Sequence, residues 1–354
     1  MAIFNLFGKK EKSKNKGYYP IQISNIEKLN SKAVSVELDI PTTLKSKFQF
    51  EPGQYVNVII EVNDEEHRRS YSICSHPDEN LRIAVKRVEN GIVSNWFNDL
   101  SKLDEPILVS SPTGSFTLPK NAKSFVTIAA GSGITPIMSI LKSHSKDHDS
   151  TLIYGNKTKS EAIFLEEIND LPITSIEYMY SREKVDGAHE GRIDKDNLTQ
   201  IIKKNIEILK SDYFLICGPE EMIHNCKETL NFFGLSEDKI LFELFTTPTI
   251  SGEENKSQEF NGISKVSVLI DDEDAHFELS GNGPTILDAV EGEGLDAPYS
   301  CRGGVCSSCK AKILEGSAHM DLNYSLTDEE VKEGYILTCQ AHPTSEILKI
   351  SYDE

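Results

Sequence analysis

Apolar positions change their period twice along this chain, and the changes divide it. Between residues 18 and 118 the apolar positions fall in short runs, at 34–40, 55–62, 69–74, 81–88 and 107–110, with the turn pair Pro52-Gly53 among them. Short alternating or apolar runs bounded by turn residues predict strands, and this succession predicts an antiparallel β-barrel. From 125 to 245 the spacing lengthens. Apolar segments at 125–130, 151–154, 176–180, 213–217 and 240–245 alternate with helix-like stretches at 137–142, 161–170, 194–209 and 220–233. That alternation predicts an α/β domain with a parallel sheet, whose ligands bind beyond the carboxyl ends of the strands. The last quarter mixes both periods. Strands are expected at 264–270 and 276–279 around a turn at 271–274, a helix at 285–290, and a strand at 310–314. Thr327 and Glu330 form a capping-box pattern for a short helix leading into 336–340.

Length and charge agree with several modules. At 354 residues the chain exceeds one ordinary core. The segments read as a disordered tail at 1–16, a barrel at 17–118, an α/β domain at 119–247, a flexible linker at 248–262 and an α+β domain at 263–354. The tail places Phe4, Leu6 and Phe7 before Lys9, Lys10, Lys12, Lys14 and Lys16, the wrong order for a signal peptide. No apolar run approaches the roughly 20 residues that span a bilayer. The net charge of −19 argues against nucleic-acid binding. From residue 262 onward, 18 Asp and Glu stand against 6 Lys and Arg. Such an acidic surface steers a basic partner or simply stays solvated. Seven cysteines without a secretory signal read as reduced thiols and metal ligands, which implies a cytoplasmic protein.

The cysteines carry the strongest chemical signal. Cys301, Cys306 and Cys309 have C-x4-C-x2-C spacing, and Cys339 follows far downstream, the ligand pattern of a plant-type [2Fe–2S] cluster. Gly303, Gly304, Ser307 and Ser308 let backbone amides approach sulfur. A tetrahedral zinc site is the alternative. Zinc modules pair their cysteines twice at short spacing, whereas here three share one loop. From residue 263 the chain resembles a plant-type ferredoxin with a β-grasp fold.

Two further motifs give the upstream domains a family. Arg69-Ser70-Tyr71-Ser72, then Val85-Lys86, then Gly91-Ile92-Val93-Ser94 at a helix start resemble the flavin domain of the ferredoxin–NADP reductase superfamily. The resemblance implies FAD, with Arg69 on a flavin phosphate, Tyr71 facing the isoalloxazine, and Ser72 near its reactive nitrogen. Val85, Lys86, Gly91, Val93 and Ser94 complete that site, the helix-start amides and the Ser94 hydroxyl receiving the pyrophosphate. In the α/β domain, Gly131-Ser132-Gly133-Ile134-Thr135-Pro136 resembles the nicotinamide-side loop of the same reductases. Cys217-Gly218-Pro219 matches their C-G-P motif, which implies a thiol beside the nicotinamide. Ser181 and Arg182, with Lys184 behind, stand where relatives contact the adenosine ribose. A Ser-Arg pair suits a 2′-phosphate, so NADPH is expected over NADH.

The order of modules is similar to the reductase components of multicomponent oxygenases, the phenylacetyl-CoA epoxidase reductases nearest among them. It implies electron flow from NAD(P)H through FAD and the [2Fe–2S] cluster to a separate diiron oxygenase. A desaturase or other hydroxylase as acceptor, and a redox sensor without turnover, are the alternatives. Ser72 and Cys217 are the candidate catalytic residues.

Overall fold

The computed structural model describes residues 15–100, 105–246 and 260–354. Most of the expected tail at 1–16 and of the expected linker at 248–262 lies outside these residues.

The first domain is a curled antiparallel sheet. Its strands are β1 (Tyr18–Asn30), β2 (Ala33–Asp39), β3 (Tyr55–Val62), β4 (Glu65–Ser72), β5 (Leu81–Lys86) and β6 (Ile107–Ser110). They lie in the order β4-β3-β6-β1-β2-β5, and a bridge between Ile73 and Ile83 brings the two edges together. The β3–β4 hairpin turns at Asn63 and Asp64, both left-handed (φ 56° and 63°), the conformation that a two-residue hairpin favours in such side chains. This pairing starts β4 at Glu65, four residues before the apolar pattern showed it, because Glu65–Arg68 offered no apolar alternation. Helix α1 (Ile92–Asp99) closes one side by burying Val93 and Phe97.

The second domain is a parallel sheet of β7 (Ser124–Ala130), β8 (Asp149–Asn156), β9 (Ser175–Tyr180), β10 (His189–Glu190), β11 (Tyr213–Cys217) and β12 (Ile240–Glu243). The order is β10-β9-β8-β7-β11-β12. Helices α2 (Ile134–His144), α3 (Leu165–Asp170), α4 (Lys195–Lys204) and α5 (Glu220–Phe232) make the crossovers. The helix expected from 161 begins only at Leu165, since Phe164 is left-handed at φ 60°. The one expected to run to 209 ends at Lys204, and a 3-10 turn (Ile206–Lys210) follows.

In the third domain, β13 (Ile263–Ile270) and β14 (Glu273–Ser280) turn at left-handed Asp271 and Asp272, a tighter hairpin than the four-residue turn expected. Helix α6 (Ile286–Gly292) crosses to β15 (Lys310–Glu315), then come β16 (Ala318–Met320), α7 (Asp328–Lys332), β17 (Tyr335–Leu337), β18 (Ala341–Pro343) and β19 (Ile347–Ser351). The main sheet runs β14-β13-β19-β15-β17, with β13 and β19 parallel. The Thr327–Glu330 capping box forms as its sequence predicts. Among the described residues no helix is long and apolar enough to cross a membrane.

Charge pairs fix the first two domains to each other. Arg82 reaches Glu167 at 2.6 Å, Lys142 reaches Glu79 at 3.0 Å, and the Ser139 hydroxyl donates to the Ser75 carbonyl at 2.7 Å.

Candidate functional site

A cavity of 610 Å³ opens where all three domains meet. Strand β4 contributes Arg69, Tyr71 and Ser72, the β5 end contributes Lys86, and the start of α1 contributes Gly91, Val93 and Ser94. Ser132 and Thr135 line it from the second domain, Glu243 to Thr246 from the end of β12, and Cys301 and Cys306 from the third domain. Tyr71 packs edge-on against Phe97 at 5.6 Å, which fixes its ring. Helix α1 has no side-chain cap, so its first amides face the cavity free to bind an anion. The Ser94 hydroxyl is engaged locally, accepting from the Val88 amide at 3.1 Å and donating to the Gly91 carbonyl at 3.3 Å. Val85 is buried and lines neither this cavity nor the next; its carbonyl holds the Asn98 amide.

Glu243, in the Glu-x-Phe at the end of β12, stands in this wall 3.5 Å from the Ser72 hydroxyl. Burial pushes its carboxyl up to about 8, and the Ser72 contact opposes the shift. At neutral pH it is therefore mainly a proton-bearing acid beside the flavin motif.

A second cavity of 630 Å³ adjoins the first, sharing Lys86, Ser132, Phe245 and Thr246 with it. Its walls are the carboxyl ends of the parallel strands, where the fold places nucleotide ligands. Gly131, Ser181, Arg182, Gly218 and Pro219 line it as the motifs led one to expect. Lys157 and Arg192 also line it; they come from the ends of two other strands, and no short motif marks them. Lys184 turns away to pair with Glu190 at 2.6 Å. Gly133 reaches neither cavity. A Cβ there would stand 2.0 Å from the Cys217 carbonyl oxygen, so glycine is what lets the two loops touch. The Cys217 side chain is fully buried and lines neither cavity, and burial holds its thiol well above the ordinary range. Burial likewise lowers the Lys86 ammonium.

The cysteine loop is built around inward-facing sulfur. Cys306, Cys309 and Cys339 are buried, and Cys301 is partly exposed. The Gly303 amide donates to the Cys301 sulfur at 3.3 Å. Arg302 is left-handed at φ 53°, held there by Asp288 at 2.7 Å, by Glu291, and by its position over the Tyr299 ring at 4.1 Å. Gly304, at φ 71°, comes so close to the Leu322 carbonyl that a Cβ would lie 2.9 Å from it. Thr338 ties Cys339 to the loop, its hydroxyl donating to the Cys309 carbonyl at 3.0 Å. Hydrogen bonds among the thiols hold Cys301 and Cys309 low and drive Cys306 and Cys339 up. Four thiolates this close need positive charge among them to ionise together. Among the described residues no group of three or more such ligands is arranged for a single ion. The contacts run unbroken from Cys306 to Cys301 to Cys339 to Cys309, which brings all four sulfurs of the expected ligand set into one cluster.

Comparison with known proteins gives the same three modules. Residues 20–118 match the oxidoreductase FAD-binding domain, 127–228 the oxidoreductase NAD-binding domain, and 268–344 the 2Fe-2S iron-sulfur cluster binding domain. The chain is 32% identical to one of the subunits of 1,2-phenylacetyl-CoA epoxidase from Escherichia coli K12, over 95% of this chain and 98% of that one. It is 31% identical to the ferredoxin reductase component of 3-ketosteroid-9-alpha-monooxygenase from Rhodococcus rhodochrous, over 90% and 92%. The fold superposes on phthalate dioxygenase reductase with a TM-score of 0.60 at 24% identity, covering 95% of this chain and 98% of that one.

Proposed function

We propose a client and a coenzyme for this chain, which belongs to the family of oxygenase-system reductases that join FAD-binding, NAD-binding and [2Fe–2S] domains. It is an NAD(P)H-dependent oxidoreductase whose cofactors are FAD, a [2Fe–2S] cluster and a pyridine nucleotide. Bound FAD would supply a carrier able to take the two electrons of a hydride together and give them up singly, by way of the cluster, to an oxygenase component.

In this reading the chain's own residues bind, orient and insulate. Arg69 and the free amides of α1 take the anionic part of the flavin, Tyr71 supplies its flat wall, and Ser72 with Glu243 holds a proton beside it. Cys301, Cys306, Cys309 and Cys339 hold the irons. The observation that carries the reading is the shared cavity, in which Arg69, Tyr71 and Ser72 face the same space as Cys301 and Cys306.

The coenzyme is NADPH. Lys157, Arg182 and Arg192 line the same cavity as Ser181, together with Asp194, Glu220 and Glu221, and a Ser-Arg pair with a further lysine favours a phosphate dianion over a free ribose hydroxyl. The client is a separate diiron oxygenase, the epoxidase that acts on phenylacetyl-CoA; its support is the near full-length similarity to a subunit of that system. Mixing the purified reductase with that oxygenase tests both points. Epoxidation of phenylacetyl-CoA coupled to NADPH oxidation supports the client. Coupled turnover only with a fatty-acyl desaturase or another hydroxylase would replace it.

A further inference from the structure

The strand that carries the flavin motif also carries a dock for the iron–sulfur domain. Side chains alternate along β4, so Arg68 and Ser70 share one face while Arg69 and Tyr71 share the other. Arg68 Nη2 lies 2.8 Å from Asp296 Oδ1, and Glu66 lies 3.0 Å from the same nitrogen. The Arg68 guanidinium also covers the Tyr299 ring at 4.8 Å, on which Arg302 lies at 4.1 Å. Two residues on, the Ser70 and Ser300 hydroxyls are 2.8 Å apart. On the neighbouring strand, the Tyr55 hydroxyl accepts from the Ser307 amide at 3.1 Å. Apart from the Glu66 pair, these contacts fall on residues 296–307, the segment that bears Cys301 and Cys306.

Arg68 is only 6% exposed, whereas Asp296 is 38% exposed. A buried guanidinium that loses one of its two carboxylates keeps its desolvation cost and part of its attraction, from Glu66 within its own domain, so what Asp296 adds acts on whether the domains stay together.

We propose that Arg68, Ser70 and Tyr55 form a docking seam that fixes the cluster loop against the flavin cavity, with the Arg68–Asp296 pair as its electrostatic latch. The proposal rests on the reductase reading above. Each NAD(P)H gives up two electrons and one proton; the proton goes to solvent, and the two electrons cross the seam one at a time to the cluster and on to the oxygenase component, which accepts both. These are positioning residues, and they take no part in the hydride step. Because one half of the latch is partly exposed, salt weakens it.

Asp296→Asn, which is isosteric, and Asp296→Lys, which is repulsive, test the latch in the full holoprotein. Hydrogen exchange of the amides at 300–309 should quicken in both, more in the lysine variant, while the oxidised cluster spectrum stays unchanged. In stopped flow, NADPH should bleach the flavin at the wild-type rate, and cluster reduction should slow about tenfold in Asp296→Asn. Raised salt should slow the wild type toward the asparagine variant. Wild-type exchange and wild-type cluster reduction in Asp296→Lys would overturn the seam. A wild-type protein whose flavin NADPH does not bleach would overturn the reductase reading instead.

Discussion

Replacing Arg182 by alanine isolates the 2′-phosphate term in coenzyme choice. Its backbone amide is fixed to the Lys157 carbonyl at 2.9 Å, so truncating the side chain leaves the loop in place. The guanidinium is exposed on the cavity wall, whereas Arg192 faces Glu221 at 3.9 Å and Lys184 is paired with Glu190. Arg182 is thus the less encumbered cation for a phosphate. A charge-assisted hydrogen bond contributes about 1.5–3 kcal/mol; at an exposed rim the lower end applies. At about 1.4 kcal/mol per decade, kcat/KM for NADPH should fall roughly 10- to 30-fold, with Lys157 preserving the remainder. NADH, lacking the phosphate, should lose less than about threefold. Initial rates with a flavin-level acceptor for both coenzymes measure this, and the NADPH deficit should shrink as ionic strength rises. Equal losses for the two coenzymes would show that Arg182 serves the fold or the shared part of the nucleotide.

Four other perturbations probe separate parts of the molecule. Cys306→Ala should remove the visible absorbance of the cluster yet leave flavin bleaching by NADPH intact; loss of bleaching would contradict the modular reading. Gly133→Ala forces the nucleotide loop off the Cys217 carbonyl and should cut flavin reduction while sparing the cluster spectrum, so unchanged flavin reduction would refute the close-packing argument. Thr327→Ala removes one half of the capping box and should cost the iron–sulfur domain about 1 kcal/mol in a denaturant titration; no measurable cost would mean the cap is idle. Glu243 has a folded pKa of about 8 against an ordinary 4.5, so its contribution to stability is complete below 4.5 and is lost as pH rises through 8. Glu243→Gln, neutral throughout, should gain on the wild type across that window, by about 2 kcal/mol after allowance for partial exposure, and parallel melting curves would count against the buried acid.

What the sequence disclosed was whatever local spacing encodes. The cysteine ligand pattern lies mostly within one short loop, Cys301 to Cys309, and strand and helix periods need only a short window, so the modules and the cluster loop were legible. Sites assembled across the fold were not. Lys157 follows β8 and Arg192 follows β10, and only the parallel order of the sheet puts them beside Arg182. The motif Arg69-Ser70-Tyr71-Ser72 points to a flavin face, and Ser70, which lines that cavity, also meets the iron–sulfur domain next to Arg68. Motif matching also set Cys217 among the reactive groups without showing that its side chain lies outside both cavity linings. A motif tells which backbone turns come together; which atoms reach a ligand depends on packing that the motif does not contain.

The arrangement of the cavities imposes an order on the electrons. The nucleotide cavity is lined by none of the four cluster cysteines, while the flavin cavity is lined by two of them and shares four residues with the nucleotide cavity. A nicotinamide seated in the second cavity thus meets the flavin site before any sulfur. That matters because a hydride moves two electrons and a [2Fe–2S] cluster accepts one, so direct contact between them would be unproductive. Lys86, Ser132, Phe245 and Thr246 mark the junction, and Phe245 is 41% exposed. The chain runs on from this junction toward the third domain, so the end of the parallel sheet serves both as a wall of the flavin cavity and as the departure point for the iron–sulfur module. A reductase that ended at β12 could use Glu243 and Phe245 only to close the flavin site. Here the same residues line a cavity that Cys301 and Cys306 of the third domain line as well.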